Sequence, residues 1–130
     1  VPNTVAVHQC GTLMTYEEFR AEMESYRRDA DAEASARKDS QLVLDRLHSL
    51  YRRLNASEQA MANRVLAEWT LSADEGMRFD ALALIDEFKI EEARSALDIL
   101  AHRLGKSKAP GAPYELEKVK RIAANISGTY

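Results

Sequence analysis

The chain has 130 residues, of which 45% are hydrophobic and 30% are charged, and its formal net charge is −3. This is the composition of one ordinary globular domain, and the acidic excess disfavours nucleic-acid binding, because domains with that role tend to be basic. No stretch approaches the roughly 18 apolar residues of a membrane-spanning helix, and the single cysteine, Cys10, excludes an internal disulfide and fits a reducing, cytoplasmic location.

Residues 1–13 show no helical period and no capping signal, so we expect a flexible N-terminal segment. The chain begins with Val, and one interpretation is that this segment lies upstream of the true start, with the folded part beginning at Met14. Thr15 and Glu18 form a capping box, in which each side chain accepts a hydrogen bond from the backbone N–H of the other residue. An acidic amphipathic helix should follow, fraying or bending near Asp39 and Ser40, with its apolar face formed by Phe19, Met23, Tyr26 and Ala30.

Five further helices are predicted from apolar residues at helical spacing. The second has a wide apolar stripe, and the third should place Trp69 in the core rather than on the surface. Either Asn55 or Ser57 can cap the third helix, a capping box at Ser72 to Glu75 opens the fourth, and Gly105 ends the fifth. The predicted bounds of the second to sixth helices are 40–54, 57–71, 74–88, 91–104 and 113–126. No segment shows the alternation of a strand.

Residues 74–104 form the most informative pattern, two apolar-faced helices joined by an elbow at Lys89-Ile90. The positions that a stacked helix pair requires are occupied by Arg78, Ala81, Leu82, Ile85, Phe88, Ala93, Ala96, Leu97 and Leu100. The segment resembles a HEAT-type repeat of the short bacterial kind, whose helix pair has an Arg followed three residues later by Ala-Leu. The second and third helices fit the arrangement but do not match the motif.

The resemblance implies an all-α fold in which the last five of about six helices form a short HEAT-like α-solenoid. The first amphipathic helix would cap one end, and residues 14–130 would be a single helical-repeat domain. Such stacks need neighbouring helices to bury their apolar faces, and they serve mostly as binding proteins.

Catalytic and metal chemistry find little support in the residue pattern. His8 and Cys10 have the spacing of a ligand pair, but no second cluster accompanies them. The carboxylate pairs lack the Glu-x-x-His spacing of a di-metal bundle, and no phosphate-binding loop or nucleophile motif occurs. We therefore expect no enzyme activity, no metal and no cofactor.

The leading expectation is a non-catalytic protein-binding module, in the style of a toxin-immunity protein or inhibitor, that meets a basic partner. Acidic residues outnumber basic ones from Ser72 to Leu104, whereas basic residues dominate from Gly105 to the end. The candidate contact residues are Asp74, Asp86, Glu87, Glu91, Glu92 and, if exposed, Trp69. The alternatives are a nucleic-acid-associated protein that uses the basic C-terminal helix, where we expect no aromatic residues among the bases, and a self-associating structural protein.

Overall fold

The computed structural model describes residues 14–127, which form six helices and contain no strand. The all-α prediction is therefore confirmed, while the predicted flexible segment 1–13 lies outside the described residues. A 3-10 turn at Glu91–Ala93 directly precedes α5. The helices are α1 (Tyr16–Arg37), α2 (Leu42–Arg53), α3 (Ala56–Thr70), α4 (Glu75–Phe88), α5 (Arg94–Lys106) and α6 (Ala112–Ser127).

The chain divides into two compact units, with the boundary between Ala62 and Asn63 inside α3. The first unit contains α1, α2 and the start of α3, and the second contains the rest of α3 and the following helices. The single domain over 14–130, the solenoid stacking and the capping role of α1 stay predictions.

In the first unit, α1 begins with the predicted capping box. The Thr15 hydroxyl accepts a hydrogen bond from the Glu18 N–H at 3.1 Å, and the Glu18 carboxylate accepts one from the Thr15 N–H at 2.9 Å. The helix ends at Arg37, slightly before the predicted bend, because Lys38 adopts a left-handed conformation with φ 56°. Its N–H and that of Asp39 bond to the carbonyls of the last helical turn, which satisfies acceptors that a helix end otherwise leaves free.

Helices α1 and α2 pack against each other through the face predicted for α1. Phe19, Met23 and Ala30 are buried, and the Tyr26 hydroxyl donates to the Arg46 carbonyl at 3.3 Å. Arg46 also donates to Glu33, with 2.8 Å between the charged groups, and this hydrogen bond lowers the pKa of the Glu33 carboxyl. The helix thus stays paired with α2 beyond its last large apolar residue.

In the second unit, α6 lies against both α5 and α4. Phe88, at the end of α4, is only partly buried. The other apolar positions that the repeat pattern selected are buried, which confirms their predicted place in the core. They are Ala81, Leu82, Ile85, Ala93, Ala96, Leu97 and Leu100. Val119, Ile122 and Ile126 supply the buried stripe of α6 at spacings of three and four, as expected for a helix with one covered face.

Three predicted helix ends are decided or corrected by local hydrogen bonds. Asn55, not Ser57, opens α3 through a reciprocal capping box with Glu58. The predicted capping box at Ser72 is wrong, since Asp74 caps α4 by accepting from the Met77 N–H while the Ser72 hydroxyl accepts from Asp74. Gly105 does not end α5, which continues to Lys106.

We expect the substitution Lys38→Gly to raise the free energy of unfolding by about 0.5–1 kcal/mol. A left-handed conformation costs a residue with a Cβ about 1–2 kcal/mol, and part of the gain is offset by the greater freedom of glycine in the unfolded chain. Urea unfolding followed by circular dichroism measures the change. Lys120→Gly is the matched control, because Lys120 is exposed within α6 and glycine should cost about 1 kcal/mol there. Destabilisation by both substitutions would contradict the prediction.

Candidate binding surfaces

The elbow between α4 and α5 has a fixed backbone. Lys89 adopts the left-handed conformation with φ 52°, and its N–H and that of Ile90 both donate to the Ile85 carbonyl. The Ile90 side chain is buried, and so is Ala93 in the following turn. Because the backbone is hydrogen-bonded and anchored in the core on both sides, the side chains of the elbow project from a defined position.

The structure brings together some of the predicted acidic contacts and separates others. Glu87, Glu91 and Glu92 are exposed around the elbow, and we call these three residues the elbow acids. Asp74 lies at the opposite end of α4, about 18 Å away along the helix axis from Asp86 at 1.5 Å per residue, and its carboxylate accepts the capping hydrogen bond from Met77. Asp74 is therefore a structural cap outside the elbow surface.

Asp86 also differs from the elbow acids. Its side chain is only partly exposed, and its Oδ1 atom is buried without a hydrogen-bond partner within the described part of the chain. Its negative charge acts on Lys118 of α6 and favours the protonated amine. Asp86 is thus less exposed than the elbow acids.

One hydrogen bond and two nearby bases shape the charge of the elbow. The Glu92 carboxylate accepts a hydrogen bond from the Asn63 amide at 3.1 Å, which orients one of the acids. Lys89 and Arg94 are exposed in the same segment. The elbow therefore presents a mixed pattern in which the acids exceed the bases, and a partner must match the positions of both signs.

Trp69 is excluded as a surface contact, because its side chain is only 2% exposed. It lies on the last turn of α3, where the helical spacing also buries Val65 and Leu66. Its inclusion among the partner-binding candidates is corrected, and the core position that the same pattern predicted is confirmed.

Arg78 joins α4, α6 and the segment before α4. Its guanidinium donates to both carboxylate oxygens of Glu115, with Nε–Oε2 at 2.7 Å and Nη2–Oε1 at 3.0 Å. The Nη1 atom donates to the carbonyls of Ser72 and Ala73. The hydrogen bond to Glu115 raises the pKa of Arg78 further above its already high value. Since Arg78 and Glu115 lie in the first turns of their helices, the N-terminal ends of α4 and α6 are side by side.

An exposed pair of aromatic residues lies next to this junction. Phe79 is 50% exposed on α4, and Tyr114 is 82% exposed on α6. The Lys118 Nζ atom sits 4.1 Å from the centroid of the Phe79 ring, within cation–π range. Burial lowers the pKa of the Lys118 amine, Arg121 acts in the same direction, and Glu115 and Asp86 oppose both.

We call this surface the α4–α6 face, and it combines the side chains of one stripe on each helix. Its residues are Glu75, Phe79 and Asp86 on α4 and Tyr114, Lys118 and Arg121 on α6.

Sequence reasoning missed the α4–α6 face for two reasons. The basic end was weighed only for the aromatic interleaving that base stacking needs, and Tyr114, which precedes Lys118 by one turn and Arg121 by two, was passed over. That spacing is visible in the sequence and could have given the signal. The position of Phe79 over Lys118 depends on the packing of α4 against α6 and has no signal in the local sequence.

Among residues 14–127, no group of histidine, cysteine, aspartate or glutamate side chains could hold a metal ion. His8 and Cys10 lie outside that range. None of the helices described is long and apolar enough to cross a membrane.

The chain matches no family model, no curated protein and no solved structure.

Proposed function

We propose that the chain is a non-catalytic protein-binding module that needs no cofactor and engages a basic partner through the elbow acids. The observation that carries the proposal is the fixed elbow, which presents Glu87, Glu91 and Glu92 on a backbone held at Lys89 and Ile90. A concrete form is a cytoplasmic inhibitor that neutralises its target, as an immunity protein does with a toxin.

Rigidity is the physical reason for preferring the elbow over other acidic positions. Ordering a flexible segment on binding costs conformational entropy, so a pre-organised surface retains more of its interaction free energy. Asp74 adds little to this surface because it lies at the opposite end of α4 from the elbow. The elbow acids keep exposed charges, which steer a cationic partner.

Charge reversal at the elbow should abolish capture of the partner. The chain is immobilised and exposed to a nuclease-treated lysate of its native host, and retained proteins are identified by mass spectrometry. We expect one basic protein in near-equal amount, released at about 0.5 M salt because surface charges are then screened. Glu87→Lys combined with Glu91→Lys and Glu92→Lys should lose it, through like-charge repulsion and a lower association rate.

A matched control reverses three exposed acids of α1 in the first unit, with Glu22→Lys, Asp29→Lys and Asp31→Lys. This control changes the net charge by the same amount, so it should keep the partner if position matters. Lys89→Glu with Arg94→Glu should instead speed association, because both bases lie among the elbow acids. Equal retention by the two triple variants, or no retained protein, would contradict the proposal.

A further inference from the structure

We propose that the α4–α6 face binds the same face of a second copy of this chain and forms a weak two-fold dimer. This surface is distinct from Glu91 and Glu92 at the elbow, and the inference does not depend on the proposed function. The distribution of charge, the exposed aromatic rings and the direction of the two helices all favour such a dimer.

Charges of opposite sign are segregated between the two helices of the face. Glu75 and Asp86 lie on the α4 stripe, whereas Lys118 and Arg121 lie on the α6 stripe. Each stripe also carries one exposed aromatic ring, Phe79 or Tyr114. A face with one acidic and one basic half is complementary to itself when a two-fold rotation places each half on the opposite one.

The direction of the helices selects the symmetry axis. The N-terminal ends of α4 and α6 lie side by side, joined by Arg78 and Glu115. A two-fold axis parallel to both helices therefore places α4 of one copy on α6 of the other, with acids against bases. An axis perpendicular to the helices would place α4 on α4 with acids near acids, which costs free energy.

A two-fold axis parallel to the helices brings together residues that lie at the same height along α4 of one copy and α6 of the other. Phe79 of one copy meets Tyr114 and Lys118 of the second copy, so two aromatic pairs lie at the centre of the contact. Aromatic residues of this kind dominate binding free energy in the middle of interfaces. Asp86, which is partly exposed, meets Arg121 of the second copy, so groups of opposite charge lie together at this end of the contact.

A second copy fits this face better than a nucleic acid does. Glu75 and Asp86 would repel phosphates along the same surface, whereas nucleic-acid sites need an uninterrupted basic footprint. The mixed signs instead suit a partner with the same mixed pattern.

The size of the face implies weak association. Helix α4 has 14 residues and is about 21 Å long, and two adjacent helices are about 20 Å wide. The dimer would then bury roughly 800 Å² in total, below the range of about 1,200–2,000 Å² typical of stable complexes. Dimerisation should accordingly require a high protein concentration.

Sedimentation equilibrium of the full chain tests the proposal, over concentrations from about 10 µM to about 1 mM, where weak affinities become visible. We expect the average mass to rise towards that of a dimer. Tyr114→Ala should raise the dissociation constant at least about tenfold, as loss of a central aromatic contact does. Ile99→Ala is the matched control, because Ile99 is 44% exposed on α5, which is not one of the two helices of the face, and its loss should leave the association unchanged.

Charge-swapped variants test whether the contact depends on opposite charges across the face. Lys118→Glu with Arg121→Glu makes both stripes acidic, and Glu75→Lys with Asp86→Lys makes both basic. Each variant alone should be monomeric, whereas an equal mixture should dimerise again, since every stripe then meets its opposite. Lys106→Glu with Lys108→Glu, at the end of α5 and in the following loop, controls for the change in net charge.

Circular dichroism of each variant checks its folding, and Tyr114→Ala keeps the test decisive if a charge variant misfolds, because that side chain is largely exposed. A wild-type chain that stays monomeric at about 1 mM would overturn the inference. So would a dimer that is insensitive to Tyr114→Ala, a mixture of folded charge variants that stays monomeric, or association that depends on added nucleic acid.

Discussion

The substitution Trp69→Ala is expected to lower the free energy of unfolding by about 3–5 kcal/mol. Trp69 is one of the largest buried side chains of the second unit, where it lies at the end of α3. Its removal deletes buried apolar area and leaves a cavity that helical neighbours can fill only in part. Because a domain of this size has a total stability of about 5–15 kcal/mol, the variant should be close to its unfolding limit. Urea unfolding followed by circular dichroism gives the value.

Tyr114→Ala is the aromatic control for this experiment. Tyr114 is 82% exposed, against 2% for Trp69, so its loss should change the free energy of unfolding by less than about 0.5 kcal/mol. The two variants should therefore show opposite profiles, one losing stability and the other losing association. A Trp69→Ala chain of nearly wild-type stability that fails to bind its partner would restore Trp69 as a contact residue.

The helices themselves could be predicted because their signals are local. The capping box of Thr15 and Glu18 and the buried repeat of Leu97 and Leu100 follow from spacing alone. Periodicity of this kind reports which face of a helix is covered, and all six helices were identified from it. It does not report which helix covers that face.

Helix ends were less predictable where two capping residues compete. Ser72 and Asp74 both have side chains that can cap α4, and Asp74 takes the role while Ser72 forms a short turn with it. The choice depends on the path of the preceding segment, which Arg78 and Arg103 hold by donating to its carbonyls at Leu71, Ser72 and Ala73. That path is set by tertiary contacts and cannot be read from the four residues of a capping motif.

The candidate binding surfaces also depend on tertiary contacts that the local sequence does not report. The acidic residues from Asp74 to Glu92 form a single group by composition, yet the structure uses Asp74 as a cap, partly buries Asp86 and exposes the elbow acids. Composition gave the sign of the charge correctly in this part of the chain. The elbow at Lys89 was predicted from the sequence, but the position of each carboxylate also required knowledge of the helix that packs against α4.

The substitution Arg78→Met should lower the free energy of unfolding by about 2–3 kcal/mol. The side chains of Arg78 and Glu115 are only 18% and 16% exposed, so methionine would leave a largely buried carboxylate without its paired charge. Breaking a fully buried ion pair costs about 3–5 kcal/mol, and the remaining exposure reduces that figure. The carbonyls of Ser72 and Ala73 would also lose their shared donor.

Arg78→Lys should have a free energy of unfolding between those of the wild type and Arg78→Met. Lysine keeps the charge but cannot donate to both carboxylate oxygens of Glu115 in the planar geometry of a guanidinium. A double-mutant cycle with Glu115→Gln measures the coupling, which we expect to be about 1–3 kcal/mol for groups in direct contact. The matched pair is Arg64 and Glu68 on α3, with 4.0 Å between the charged atoms and side chains that are 63% and 41% exposed. Its coupling should be below about 0.5 kcal/mol.

The substitution Arg78→Met should also weaken dimerisation through the α4–α6 face. Arg78 touches neither Phe79 nor Lys118 in the contacts described above, but its bond to Glu115 fixes how α6 lies along α4. If the α4–α6 face depends on that register, a folded Arg78→Met chain should also lose dimerisation, and Arg78→Lys should recover part of it. A folded Arg78→Met chain that dimerises as the wild type does would show that the surrounding apolar core alone, with Leu82 and Val119, sets the register.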